Sequence, residues 1–158
     1  MGQSLIDGIG RSPGRAVLVD HDHTEMTYAI ALQMATRFDQ ITLVTSRERI
    51  ANDVSLINRQ NILQRLFDQD IELICHVEPD SLDGLEEGQL IMKNVYNDRI
   101  SELSDVVTVV HASSRVPNQH LLTPLRANGL EVIPIGDCRA PRSLMAATHE
   151  GYQVANTL

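Results

Sequence analysis

Ala16-Val17-Leu18-Val19 is a short unbroken apolar run, and a second β-branched run, Ile41-Thr42-Leu43-Val44-Thr45, begins two residues after the segment Thr24 to Phe38 ends. Within that segment Met26, Ile30, Met34 and Phe38 recur at every fourth position, the spacing of one helix face. Strand, helix and strand in this order form a βαβ unit, whose right-handed crossover makes the two strands parallel. This unit constrains the whole chain, because a parallel sheet must be covered on both faces.

The remaining pattern extends it. Val54 to Gln69 carries Leu56, Ile57, Leu63, Leu66 and Phe67 on a helical face, and Ile71 to Cys75 reads as another strand. Short pieces split by Pro79, Gly84 and Gly88 predict a small antiparallel meander from His76 to Asn97, inserted at the sheet edge. Val106-Val107-Thr108-Val109-Val110 is the strongest β-branched run, which predicts a central parallel strand buried on both faces. A helix from Asn118 to Ala127 capped by Gly129, a strand over Glu131 to Ile135 and a helix from about Arg142 to Ala155 complete the reading. Strands alternating with helices predict an α/β fold of three layers, Rossmann-like, with a mostly parallel sheet and the small meander. Gly2, Gly8, Gly10, Pro13 and Gly14 make residues 1–15 an extended lead-in, so the fold is expected to begin at Ala16.

Charge narrows the partners. The 158 residues carry 13 Lys and Arg against 21 Asp and Glu, a net charge of −8, with only five Tyr and Phe and no Trp. Without a basic stripe or stacking surfaces, nucleic-acid binding is not expected. No apolar run approaches the roughly 20 residues of a membrane helix, and MGQSLIDGIGRSPGR lacks the apolar core of a secretory signal, so a cytoplasmic location away from membranes is expected. Cys75 and Cys138 have no CxxC spacing and read as buried thiols rather than a zinc site, an iron–sulfur site or a disulfide. No GxSxG elbow marks a nucleophilic serine, and no catalytic residue is assigned. His76, His120 and His149 read as single surface or capping histidines, and Met26, Met34, Met92 and Met145 as packing residues.

Ligands of open parallel sheets sit beyond the carboxyl ends of the strands. There the first turn reads Asp20-His21-Asp22-His23-Thr24-Glu25, with no glycine, where a dinucleotide fold would carry GxGxxG. Side chains block the approach of a pyrophosphate and the Asp charges oppose it. The cluster reads either as a divalent-metal site or, more plainly, as a polar solvated loop in which Thr24 or Asp22 caps the helix; no metal ligand is assigned. After the second strand, Arg47 and Arg49 offer cations for the 2′-phosphate of NADP(H), against an ordinary exposed loop.

The C-terminal stretch is the most specific. Val132-Ile133-Pro134-Ile135-Gly136-Asp137-Cys138, then Arg139-Ala140-Pro141-Arg142 and Ala146-Ala147-Thr148-His149-Glu150-Gly151, resembles the terminal segment of flavoprotein pyridine-nucleotide oxidoreductases. Ser114-Arg115-Val116-Pro117-Asn118 is similar to the Gly-Arg-x-Pro-Asn of the same proteins, with Ser114 in place of the glycine. Together with Asp20 and Asp22 these strings point to the NADH:flavin oxidoreductase, trimethylamine dehydrogenase and 2,4-dienoyl-CoA reductase family. The likeness covers residues 14–158 but matches only the C-terminal third of such an enzyme.

The resemblance implies a division of parts. Residues 16–114 correspond to an NAD(P)-binding-like domain, and residues 115–158 to the last segment of an FAD- or ADP-binding-like domain packed with it. Gly136 and Asp137 match the pair whose carboxylate meets ribose or ribityl hydroxyls of ADP or FAD, and the helix beginning near Arg142 aims its N-terminus at the diphosphate. Helix capping is the plainer role for Asp137. FMN and a 4Fe-4S cluster belong to the N-terminal TIM barrel of the family, which this chain lacks. The barrel and the rest of the FAD-like portion are then its expected partners, and self-association into a homo-oligomer stays open. The lead-in followed by a partial match favours an excised piece of a longer enzyme, not catalytic by itself. Two other readings stand beside it: an α/β interaction or regulatory domain that has lost cofactor binding, and an NADP(H)-binding reductase domain.

Overall fold

The computed structural model describes residues 11–52 and 54–157. The first ten residues of the expected lead-in lie outside the described residues, and strand β1 (Ser12–Asp20) already begins before Ala16. The described residues fall into two compact units, divided between Ser113 and Ser114.

In the first unit, α1 (Glu25–Met34) links β1 to β2 (Phe38–Thr45), and α2 (Leu56–Phe67) links β2 to β3 (Glu72–Cys75). A meander of β4 (Val77–Ser81), β5 (Leu90–Asn94) and β6 (Ile100–Leu103) precedes β7 (Val106–Ala112). The strands form a four-stranded sheet in the order β3-β2-β1-β7 and a three-stranded sheet in the order β4-β5-β6. All pairings in the first are parallel and all in the second antiparallel. The fold is α/β with a parallel sheet and a small antiparallel one, as the apolar runs predict.

Alternation along β1 builds three layers. Ala16 and Leu18 face the helices and pack with Tyr28, Ala31 and Leu66. Val17 and Val19 face the other way and pack with Val77, Leu90 and Met92 of the meander. The meander therefore covers a face of the parallel sheet instead of extending its edge, because Leu90 and Met92 project to one side of β5 and need an apolar partner.

Several expectations change. β7 is an edge strand among the described residues, with Val106 buried and Val107 half exposed, because β1 already fills the centre with residues at 0–1% exposure. On α1 the buried face is Thr27, Tyr28, Ala31 and Met34, whereas Met26 is 66% exposed and Phe38 belongs to β2. A strict four-residue repeat drifts about 40° around a helix per step, so it cannot hold one face against a sheet; mixed steps of three and four can. On α2 only Leu66 is buried, and Leu56, Ile57 and Phe67 face out.

The second unit contains α3 (Leu122–Ala127), a short 3-10 turn at Gly136–Cys138 and α4 (Leu144–Ala155), capped by the Ser143 hydroxyl, which accepts from the Ala146 amide. Gly129, at φ +77°, ends α3 as expected. Glu131 to Ile135 is not a strand: no neighbouring strand pairs with it among the described residues, and Pro134 has no amide to offer a ladder. Only Gly136 and Glu150 are buried among the described residues of this unit. No described helix is long and apolar enough to cross a membrane.

Candidate functional site

At the end of β1 the Asp20 side chain is fully buried. Its Oδ1 accepts from the His23 amide at 2.8 Å, and its Oδ2 accepts from the Tyr28 hydroxyl at 2.8 Å. The same hydroxyl oxygen accepts from the Ala51 amide at 2.5 Å, and the Thr45 hydroxyl donates to the Asp20 carbonyl at 3.3 Å. His23, 3% exposed and at φ +56°, brings Nδ1 within 3.2 Å of Asp20 Oδ2. The expected solvated loop is thus a buried polar knot that ties the first βα turn to the 45–51 loop. Thr24 stands at the cap position, but its hydroxyl donates to Asp22 and accepts from no helix amide. No group of three or more His, Cys, Asp or Glu poised for a metal occurs among the described residues.

Around this knot the rim is polar. The His21 ring stacks on His111 with centroids 4.7 Å apart. Arg47 and Arg49 are exposed in the loop after β2; Arg49 Nε donates to Asn52 Oδ1 at 2.8 Å and lies 3.4 Å from Glu48. His76 is half-buried rather than at the surface, its ring 5.4 Å from Tyr96, and its amide donates to the Arg47 carbonyl. Cys75 and Cys138 are half-buried and reduced, not fully buried; burial pushes the Cys75 thiol above its ordinary pKa.

The second unit gathers its own site. Gly136 has φ +59°, and a Cβ there would stand 3.0 Å from the Ala147 Cβ, so glycine is favoured by backbone and space alike. The Gly136 carbonyl accepts from the Arg139 and Ala140 amides, and its own amide donates to Glu150 Oε2 at 2.8 Å. Glu150 Oε1 pairs with Arg142 and lies 3.7 Å from Arg139 Nη1. Asp137 is exposed within the 3-10 turn and does not cap α4, a role Ser143 fills. The Cys138 carbonyl accepts from Gln119 Nε2 at 2.9 Å, and its thiol donates to the Asn118 carbonyl. The two strings that carry the resemblance, around Pro117-Asn118 and around Gly136-Asp137-Cys138, therefore meet within this unit.

Two residues of these sites escape sequence reading. Tyr28 is one aromatic ring on a helix, and its partners Asp20 and Ala51 lie on other elements. Glu150 leaves a fainter trace, a carboxylate at i+3 from Ala147 and so on the helix face of small residues that packs on the turn.

No family model and no curated protein matches this chain. Solved structures do match its fold. Histamine dehydrogenase from Rhizobium sp. 4-9 aligns with a TM-score of 0.75 at 24% identity over 92% of this chain and 23% of its own. The 6-hydroxypseudooxynicotine amine oxidase of Pseudomonas geniculata N1 aligns with a TM-score of 0.75 at 19% identity, over 93% of this chain and 22% of its own. A 2-naphthoyl-CoA reductase aligns with a TM-score of 0.68 at 18% identity, over 96% and 22%. The chain thus shares its fold with a part of these three enzymes and spans under a quarter of their length.

Proposed function

We propose that this chain is the C-terminal nucleotide-binding-like portion of a flavin-dependent oxidoreductase related to trimethylamine dehydrogenase and 2,4-dienoyl-CoA reductase. In this reading it holds ADP or FAD at the Gly136 turn and catalyses nothing alone. The observation that carries the reading is the match of 92% of this chain to 23% of histamine dehydrogenase. The second unit supports it: Val116, Leu121, Leu130, Leu144, Met145 and Tyr152 are all more than half exposed, as expected of a half-domain that another polypeptide completes. The TIM-barrel and remaining FAD-like portions of the whole enzyme would be that polypeptide, with FMN and the 4Fe-4S cluster in the barrel.

The residues of the Gly136 turn fit the ligand. Asp137 supplies a carboxylate for ribose hydroxyls, Arg142 a cation for the diphosphate, and Gly136 a backbone free of Cβ. The first βα turn does not fit a pyrophosphate, because the buried Asp20, His23 and Tyr28 fill the place that glycines would leave open. That observation favours, as a second reading, an interaction domain without a cofactor. It weighs against NADP(H) at Arg47 and Arg49.

Thermal unfolding with ADP, FAD, NADP or NADPH at a hundred times a micromolar dissociation constant tests all three. A real site adds about 2.7 kcal/mol of stability under these conditions. A shift with ADP or FAD that Asp137→Ala abolishes is the expected result. A shift with NADP(H) alone, lost when Arg47 and Arg49 are replaced, would favour the reductase reading. Indifference to every nucleotide would favour the interaction domain.

A further inference from the structure

Glu150 lies in the middle of α4 with a side chain 8% exposed, an unusual place for a carboxylate unless charged and hydrogen-bonding partners meet it. Here they do. Oε2 takes the Gly136 amide and Oε1 takes Arg142, with Arg139 at 3.7 Å. The two oxygens are therefore divided between the backbone of the glycine turn and the cation beside it. The guanidinium side chains of Arg139 and Arg142 remain 63% and 55% exposed, so the carboxylate anchors them without removing them from solvent. With His149, Met145 and Gln153 they line a cleft of about 490 Å³.

Resting on the nucleotide reading of this turn, we propose that Glu150 is its positioning residue. One buried carboxylate fixes the amide that precedes Asp137 and the guanidinium of Arg142, so that the group for ribose hydroxyls and the group for the diphosphate are set from a single point. A flexible Arg142 would bring the same charge, but it would lose side-chain freedom on binding; held in advance, it loses less.

The experiment is calorimetric titration of ADP into the full chain and into its Glu150→Gln and Glu150→Asp variants. The Gln variant adds one net positive charge beside the cleft, so Coulomb attraction alone would tighten a polyanion. Positioning requires the opposite sign. Roughly tenfold weaker binding is expected in the Gln variant, and also in the Asp variant, whose shorter arm keeps the charge but cannot reach both partners. The Gly136 amide resonance should move in both variants while α4 stays helical. Unchanged or tighter ADP binding in the Gln variant would overturn the inference alone. Absence of ADP binding by the unmodified chain would overturn the nucleotide reading and this inference together. Should the Gln variant not fold, the Asp variant decides by the same criterion.

Discussion

Tyr28 holds more than its ring. Its hydroxyl donates to a fully buried carboxylate and accepts from the Ala51 amide, so Tyr28→Phe leaves the Ala51 amide without its acceptor and takes one donor from Asp20, which keeps the His23 amide. The expected cost is about 1–3 kcal/mol, measured by chemical denaturation of the first unit. At the other site, Gly136→Ala forces a side chain into left-handed backbone against Ala147, with an expected loss of about 1–2 kcal/mol and weaker ADP binding. Cys75 offers a chemical probe. With its pKa raised by burial, it carries less thiolate at pH 8 than an unfolded thiol, so alkylation should be slow in the native chain and recover in denaturant. The string Gly136-Asp137 was legible at this scale only through its resemblance to a known family, and its nucleotide role is a proposal. Glu150 and Tyr28 were not, since each draws its importance from partners distant in sequence. The likeness of Arg47 and Arg49 to phosphate ligands was legible too, but not the contacts of Arg49 with Asn52 and Glu48.

Among the elements, β1, β2 and β3 follow from their apolar runs, and the meander from its Gly and Pro punctuation. The helices follow less closely. On α1 Met26 and Ile30 turn outward and Tyr28 and Met34 inward, while Ala31 and, at the helix end, Ala35 let the helix approach the sheet. The methionines divide likewise: Met34 and Met92 are buried, but Met26 and Met145 are exposed. Glu131 to Ile135 shows the limit of propensity, since a β-prone segment becomes a strand only when another strand completes its ladder. α4 depends on its cap: Ser143→Ala removes the acceptor for the Ala146 amide and should cost about 1 kcal/mol, read as a lower thermal midpoint of the helical signal.

Across the molecule, the two units differ in what holds them. The first buries two apolar clusters on opposite faces of one sheet, whereas the second buries only Gly136 and Glu150 among its described residues. Local opening follows buried contact, so amides of β1 and β2 should exchange last and those of residues 114–157 far earlier, as hydrogen-exchange mass spectrometry would record. The sequence by itself determined the α/β class, the parallel βαβ core and the antiparallel meander, because hydrophobic period and glycine placement act over a few neighbouring residues. Tertiary structure alone decided which helix face turns inward, that β7 lies at an edge, that the meander covers a face and that Asp20 and Glu150 are buried. Those outcomes depend on packing and on hydrogen bonds between residues far apart in the chain, and no local pattern encodes such partners.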